Sequence, residues 1–205
     1  MNVLLVLIAF IIAYLLGSVP TAVWAGKIFR GIDLREHGSG NAGAANAIRI
    51  LGWKIGVPVL SIDMAKGWLA AMLPVFFNLA ENGTALSTNL QIGTGVTAII
   101  GHILPVFARF RGGKGVATAS GVLLAIHPLL TLACLGVFIV VLLSSRIISV
   151  ASLSAGIVFP ILLFFIFDTP SLLFRIFSIA IALALIFTHR NNIRRLLKGE
   201  EKRLF

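Results

Sequence analysis

Residues 116–143 read VATASGVLLAIHPLLTLACLGVFIVVLL, and this stretch decides how often the chain crosses a membrane. A helix needs about 20 apolar residues to cross the hydrocarbon core of a bilayer, so the stretch is long for one crossing and short for two. The pair His127-Pro128 interrupts it, and proline cannot donate a backbone hydrogen bond. We therefore predict two short helices that meet at this pair. One long, kinked helix is the alternative.

The rest of the chain is also apolar. Of its 205 residues, 59% are hydrophobic and 12% are charged, whereas soluble domains carry about 25% charged residues. The composition therefore indicates an integral membrane protein. Residues 1–26 contain no Lys or Arg, which favours a retained first span over a cleaved signal peptide. We predict a single all-α domain over residues 1–205, with about seven transmembrane helices at 3–25, 55–77, 90–107, 114–127, 128–144, 149–167 and 170–188.

The basic residues decide between the two alternatives for residues 116–143, because cytoplasmic loops are rich in Lys and Arg. With two crossings there, every Lys and Arg except Lys66 and Arg175 lies on one side of the membrane. With one crossing, Arg146 and the basic C-terminal tail fall on the other side. We therefore expect the N-terminus outside and the C-terminus in the cytoplasm. The net charge of +10 is spread over several segments between spans, which indicates contact with membrane lipids and not with nucleic acid.

A polar stretch interrupts the apolar sequence at residues 35–49, which read REHGSGNAGAANAIR. It matches G-x-G-x-x-G, but the dinucleotide-binding fold needs a strand before that pattern, and here a transmembrane helix precedes it. Glycines still let backbone amides turn towards one point, and a helix N-terminus attracts anions. We expect a short helix over 42–51 and, at its start, an anion site formed by Gly38, Ser39, Gly40, Asn41, Gly43, Asn46 and Arg49. An interfacial turn without a ligand is the alternative.

A second polar stretch, GHILPVFARFRGGKGVAT, occupies residues 101–118. It is not a P-loop, because Gly115 stands where Ser or Thr is required and Ala108 where the first glycine is required. What remains is a turn at the start of a helix, which predicts a second anion site formed by Gly112, Gly113, Lys114 and Gly115. Arg109 and Arg111 are explained by topology and lipid headgroups.

A third polar stretch, THRNNIRRLLKGEE at residues 188–201, begins where the last span leaves the membrane. A basic tail explains most of its arginines, but not His189 and Asn192 at the boundary. The three stretches are expected on one face of the membrane, where polar groups near hydrocarbon are costly and usually mark function. They predict a site for phosphorylated molecules, at least one of which comes from the lipid.

The sequence resembles the bacterial acyl-phosphate-dependent glycerol-3-phosphate acyltransferases over essentially its whole length. The resemblance rests on GSGNAGAAN with Arg49, on GHILPVFARFRGGKGVAT and on HRNNIRRLLKGEE. It departs at Ala45, where such proteins usually have threonine, so one hydroxyl contact is lost. Asn192 fits the asparagine of the third motif better than Asn191, because it directly precedes Ile193.

The resemblance implies transfer of a fatty acyl group from acyl phosphate to the 1-hydroxyl of sn-glycerol 3-phosphate. The products are 1-acylglycerol 3-phosphate (lysophosphatidic acid) and phosphate, in the first membrane step of phospholipid synthesis. It also implies no cofactor or metal, and a soluble phosphate acyltransferase that supplies the acyl phosphate. The expected location is the bacterial cytoplasmic (inner) membrane, with the active site facing the cytoplasm.

The same resemblance implies roles for individual residues. Catalytic roles fall to Ser39, Arg49, Lys114, His189 and Asn192. Phosphate binding falls to Gly38, Gly40, Asn41, Gly43, Asn46, Gly112, Gly113, Gly115 and Ser152. Further candidates are His102, Asp63 and Lys66, although Asp63 and Lys66 are expected mainly to neutralise each other. Which basic residue binds which phosphate stays open, as does the proton acceptor, either His189 or a substrate phosphate oxygen.

The chemistry agrees with these residues, because an acyl phosphate already carries a good leaving group. The enzyme has to bring two anions together, which requires positioning and positive charge. The His-x4-Asp pair of acyl-CoA-type enzymes is absent, since none of the four histidines is followed five residues later by aspartate. A small transporter or channel for phosphorylated solutes is the alternative function, but polar residues crowd one face and no repeat is visible.

Overall fold

The computed structural model describes residues 2–169 and 171–204, and all regular secondary structure in those residues is helical. This confirms the predicted all-α membrane class. The helices are α1 (Val3–Ser18), α2 (Thr21–Arg30), α3 (Ala44–Leu51), α4 (Trp53–Phe76), α5 (Ala85–Ile103), α6 (Val116–Ile126), α7 (Pro128–Ser145), α8 (Ile148–Phe165), α9 (Leu172–Thr188) and α10 (Arg190–Leu197). Two short 3-10 turns lie at Leu34–Glu36 and Val106–Ala108.

Within residues 2–169 and 171–204, five helical segments are long and apolar enough to cross a membrane, namely Val3–Arg30, Trp53–Phe76, Ala85–Ala108, Pro128–Ser145 and Ile148–Phe165. A sixth is the pair of α9 and α10, which bend by 58° relative to each other. The count of seven spans and their orientation stay predictions.

The first span is broken, whereas the sequence predicted a continuous helix over residues 3–25. α1 ends at Ser18 and α2 begins at Thr21. Pro20 has no N–H group and disfavours helical backbone in the residue before it, and Val19 is extended, with φ −60° and ψ 111°. The same local rule that predicts the break at Pro128 therefore applies here.

The predicted break at His127-Pro128 is confirmed, because α6 ends at Ile126 and α7 begins at Pro128. The Nδ1 atom of His127 accepts a hydrogen bond from the Leu130 amide (3.3 Å) and caps α7. The two helices differ in length more than expected. α6 has 11 residues, which is about half of what a crossing needs, while the 18 residues of α7 are sufficient.

The chain divides into two compact units, Met1–Ile126 and His127–Phe205; the single functional domain stays a prediction. In the first unit, α4 packs against α1, α3, α5 and α6. Gly67 and Gly121 allow α4 and α6 to touch, since a Cβ on Gly67 would collide with the Thr118 carbonyl and one on Gly121 with the Met64 carbonyl. Such small residues are typical of close helix contacts in membranes.

In the second unit, α8 packs against both α7 and α9. Its centre is aromatic. The rings of Phe159 and Phe174 meet edge to face at 6.0 Å, and the His127 ring stacks on Phe174 at 6.4 Å. Helices of this unit thus pack through aromatic rings, whereas α4 and α6 of the first unit pack through glycines.

Candidate active site

Asn46 shapes the glycine-rich loop that precedes α3. It is 1% exposed. Its Oδ1 accepts a hydrogen bond from the Ser39 amide, and its Nδ2 donates to the carbonyls of Leu34 and His37, all at 3.0 Å. Gly38 has a φ of +65°, and a Cβ there would collide with Asn46 Oδ1. The side chain of Asn46, predicted to bind phosphate, is therefore engaged in holding the loop.

The first glycine loop, residues 38–43, leads into a row of available donors. The backbone amides of residues 41–45 have no acceptor among residues 2–169 and 171–204. They lie at the start of α3, where the helix dipole adds positive potential. Ser39, whose side chain is exposed, precedes them. The loop can therefore offer several N–H groups to an anion.

Arg49 lies on the face of α3 that also carries Ala45 and Asn46, because residues three and four apart in a helix are neighbours. Helical side chains lean towards the N-terminus of their helix, and the amides of residues 41–45 lie at that end of α3. Arg49 is half-buried and forms no ion pair with any residue that the structure describes. Its charge is therefore available to an anion at the first glycine loop.

Arg35 ties the first glycine loop to the second, which comprises residues 109–115. Its Nη1 donates to the carbonyls of Ala108 (2.8 Å) and Arg111 (3.4 Å). Its Nε and Nη2 donate to the two carboxylate oxygens of Asp33 at 2.9 and 2.6 Å. These hydrogen bonds lower the pKa of Asp33 to about 2. Sequence reasoning missed this role and used Arg35 only for topology.

The second glycine loop packs closely against the rest of the first unit. The amides of Gly112 and Gly113 donate to the carbonyls of Ile103 and His102, both at 3.1 Å. These two amides, predicted to bind phosphate, therefore already have acceptors. A Cβ on Gly113 would collide with His102 Nε2 and lie 3.0 Å from the Ala42 carbonyl. Gly113 thus brings the loop of Lys114 against the first glycine loop.

A buried cluster of charged and polar groups lies beside this loop. Lys66 Nζ is 2.7 Å from Asp63 Oδ1, which confirms the expected neutralisation of one by the other. Thr21 Oγ1 donates to the same carboxylate oxygen at 3.0 Å. The third candidate, His102, places Nδ1 3.2 Å from Thr118 Oγ1 and 3.7 Å from Asp63 Oδ1. The three further candidates named from the sequence therefore form one group.

In the second unit, Glu201 accepts hydrogen bonds from residues of the third motif and from α8. Its Oε1 accepts hydrogen bonds from Asn192 Nδ2 (2.5 Å) and Ser149 Oγ (2.8 Å), and its Oε2 accepts one from Arg195 Nε (2.6 Å). Burial would raise the pKa of Glu201, but the bonds from Arg195, Asn192 and Ser149 outweigh it, and the net shift is downward. Ser152 lies buried one turn beyond Ser149 on α8. Sequence reasoning missed Glu201, although an acidic pair in a basic tail was a visible signal.

His189 is 3% exposed, at the end of α9. Its Nδ1 lies 2.9 Å from the Leu185 carbonyl. A carbonyl only accepts, so Nδ1 carries the proton in this contact and Nε2 of the neutral ring is the basic nitrogen. The structure therefore brings the first two motifs together within the first unit and assembles the third within the second.

Comparisons with known proteins find similar proteins over nearly the whole chain. Residues 7–199 match the model of the family described as glycerol-3-phosphate acyltransferase. The chain is 42% identical to the glycerol-3-phosphate acyltransferase of Chlorobium phaeobacteroides (strain BS1), with 100% of this chain and 97% of the relative covered. It is 43% identical to that of Chlorobaculum tepidum, with 95% and 94% covered.

Solved structures give the same result. The fold is similar to a crystal structure of PlsY (YgiH), an integral membrane glycerol 3-phosphate acyltransferase, in its glycerol 3-phosphate form, with a TM-score of 0.83 and 38% identity. The structure of PlsY in its lysophosphatidic acid form matches with a TM-score of 0.80 and 36% identity. Each match covers 97% of this chain and 94% of the other.

Proposed function

The chain belongs to the glycerol-3-phosphate acyltransferase family, and on that premise we propose that acyl phosphate is its acyl donor and that the first glycine loop, Arg49 and Lys114 hold the reacting phosphates. The enzyme transfers an acyl group to glycerol 3-phosphate and yields lysophosphatidic acid, which places it in phospholipid synthesis. The proposal concerns the donor and the residues that do this.

One observation carries the proposal. The amides of residues 41–45 have no acceptor among the described residues and lie at the start of α3, while Arg49, in the last turn of this eight-residue helix, forms no ion pair with those residues either. Gly113 brings the loop of Lys114 against Ala42 in the same region. Amides, a guanidinium and an ammonium group are what two phosphate-bearing reactants need to overcome their mutual repulsion.

The reaction needs no nucleophile from the protein. The oxygen of the glycerol 3-phosphate 1-hydroxyl attacks the carbonyl carbon of acyl phosphate, and an ester C–O bond forms. The bond from that carbon to the phosphate oxygen breaks, and phosphate leaves with the electron pair. The hydroxyl proton leaves to a base, and the choice between His189 and a substrate phosphate oxygen stays a prediction from the sequence. Held side by side, the reactants meet in a step that is effectively unimolecular.

The residues divide into two kinds under this proposal. Ser39, Arg49 and Lys114 contact substrate, whereas Asn46 and Arg35 hold the loops that carry them. Gly112 and Gly113 contribute close packing, because their amides have acceptors in the protein. Orientation of the acceptor by His189 and Asn192 stays a prediction, as does the added donor at Ser152.

The direct experiment measures phosphate release by purified protein in detergent with acyl phosphate and glycerol 3-phosphate. We expect turnover with acyl phosphate and none with acyl-CoA. Arg49→Ala and Lys114→Ala should each lower kcat/KM by a factor on the order of 100, since each removes a charge-assisted contact. Matched controls are Arg30→Ala and Lys54→Ala, which remove exposed charges from α2 and α4. Turnover with acyl-CoA alone would overturn the donor.

We also propose that the site faces the cytoplasm from the bacterial inner membrane. Single cysteines in place of Lys54, Asn82 and Lys198 test this, since all three positions are exposed and the native Cys134 is buried. In intact spheroplasts, a membrane-impermeant maleimide should label position 82 and spare positions 54 and 198 until the cells are opened. Labelling of position 54 from outside would reverse the orientation.

The donor implies a partner. An acyl phosphate is a mixed anhydride that hydrolyses in water, so we propose that a soluble phosphate acyltransferase supplies it close to the membrane. A coupled assay with that enzyme, its acyl donor and inorganic phosphate should restore lysophosphatidic acid synthesis without added acyl phosphate. No synthesis in the coupled assay, with activity on added acyl phosphate, would exclude this supply.

A further inference from the structure

We propose that Asp63, Lys66 and His102 are positioning residues that set the separation of the two glycine loops. The inference rests on the proposed function, in which these loops hold the substrate phosphates, and assigns a task to groups that the reaction itself does not use.

The ion pair lies in an unusual place. Asp63 and Lys66 belong to α4, a candidate membrane span, and are 1% and 5% exposed. Buried charges in a span are costly and are usually retained for a reason other than stability. Well-packed apolar side chains would fill the same space at lower cost, so neutralisation alone does not explain why both charges are present.

Both members of the Asp63–Lys66 pair form hydrogen bonds to residues at the break between α1 and α2. Lys66 Nζ donates to the Val19 carbonyl at 2.9 Å, at the point where Pro20 interrupts the helix. Thr21 Oγ1, from the first turn of α2, donates to Asp63 Oδ1. Since α2 leads directly to the segment that carries Asp33 and the first glycine loop, the pair fixes the origin of that loop.

The second glycine loop is reached through His102. Its Nδ1 lies 3.7 Å from the same Asp63 oxygen, and its carbonyl accepts the Gly113 amide at 3.1 Å. A Cβ on Gly113 would collide with Nε2 of this ring, so no side chain fits there. A shift of the imidazole therefore moves Gly113 and, with it, the neighbouring Lys114.

The contacts that run through α2 and those that run through His102 meet at Gly113, because Gly113 also faces the Ala42 carbonyl of the first glycine loop. The Asp63 carboxylate thus contacts Thr21, in the first turn of α2, and His102, which supports the second glycine loop. Small displacements of substrate-binding groups strongly affect rate, so the network should influence substrate affinity and turnover without touching substrate.

The test compares Asp63→Asn/Lys66→Met, which removes both charges together, with Ser61→Ala/Leu69→Met on the exposed face of α4. Thermal unfolding identifies folded protein, in which we measure glycerol 3-phosphate binding by calorimetry, KM and kcat. We expect binding and kcat/KM about tenfold weaker in the first variant and unchanged in the second. A purely structural pair predicts wild-type KM and binding in the folded fraction, and that result would overturn the proposal.

His102→Phe decides the matter if the double variant does not fold. Phenylalanine fills the space of the imidazole but cannot reach Thr118 or Asp63 through a nitrogen, so we expect about tenfold lower kcat/KM and weaker binding. His102→Gln should recover part of the loss. Wild-type binding and kinetics in His102→Phe would refute the network. Failure of the donor proposal shows separately, as absent turnover of acyl phosphate by the wild-type protein, and leaves the binding measurement valid.

Discussion

Two ion pairs of the first unit, Asp33–Arg35 and Asp63–Lys66, have partners two and three residues apart in the sequence but lie in opposite surroundings. The side chains of the first pair are 16% and 17% exposed, in the connection after α2. Those of the second are 1% and 5% exposed, inside a span. Sequence spacing therefore says little about what an ion pair does, whereas its burial and its remaining hydrogen bonds say a great deal.

The two cations also differ in shape. The planar guanidinium of Arg35 binds both oxygens of Asp33 and still reaches the carbonyls of Ala108 and Arg111, so one residue connects two loops. The ammonium of Lys66 is a compact charge that binds one carboxylate oxygen and one carbonyl. Arginine suits the bridging role and lysine the compact, buried one.

The buried pair should be far more sensitive to loss of one partner. Lys66→Met leaves the Asp63 carboxylate buried without its cation, so we expect a loss of about 3–5 kcal/mol in unfolding free energy. Thermal unfolding in detergent measures it. Lys54→Met is the matched control, because Lys54 is exposed on the same helix. Equal stability of Lys66→Met and Lys54→Met would contradict the high sensitivity expected of the buried pair.

The Asp33–Arg35 pair should affect catalysis more than stability. Arg35→Lys keeps the charge but loses the fork, so we expect kcat/KM to fall about tenfold, equivalent to about 1.4 kcal/mol. Unfolding free energy should change by less than about 1 kcal/mol, because the pair is partly exposed. Kinetics and unfolding of the same preparation test both, with Arg30→Lys as control. Wild-type kinetics in Arg35→Lys would contradict the bridging role.

Acid should remove the stability contributed by the Asp33–Arg35 pair only at very low pH. The folded-state pKa of Asp33 is about 2, below its ordinary value of 3.8. The stability that it contributes is therefore complete above pH 3.8 and is lost as the pH falls through about 2. We expect the stability difference between wild type and Asp33→Asn to stay constant from about pH 7 to about pH 4 and to shrink below. In an Arg35→Ala background the difference should be flat, and a decline already at about pH 6 would exclude this assignment.

The smallest effect should come from a polar group that is buried like the second pair but has no partner. Among the described residues, Ser18 Oγ is the buried side-chain atom without a hydrogen bond. Ser18→Ala should leave the protein as stable as before or more stable by about 1 kcal/mol. Ser178→Ala, which removes a hydroxyl bonded to the Arg175 carbonyl at 2.7 Å, should destabilise it. Destabilisation by Ser18→Ala as well would point to a bound water.

Features that depend on local rules were predictable from the sequence. Apolar length and composition predicted the all-helical membrane class, and Pro128 predicted the break between α6 and α7. The same rule applied at Pro20, where the long apolar run over residues 3–25 outweighed it in the interpretation. The unbonded amides at the start of α3 were predictable because glycine and helix termini act locally.

Contacts between distant residues could not be predicted in the same way. Arg35 binds the carbonyl of Ala108, 73 residues away, and nothing in either segment specifies that partner. Asn46 looks like a ligand in the sequence, but its position inside the loop directs its amide to the backbone. A polar side chain in a motif can support the site or bind the substrate, and only its surroundings distinguish the two.

The contact between α4 and α6 has a consequence for protein engineering. Thermostabilised variants are often made by exchanging helical glycines for alanine, which gains about 1 kcal/mol from helix propensity. Gly67 and Gly121 rule this out, because a single methyl group on either would meet the opposite backbone. Gly136 in α7 has open space around it and accepts the exchange. Exchange of glycine for alanine should therefore spare Gly67 and Gly121 and begin with Gly136 in α7.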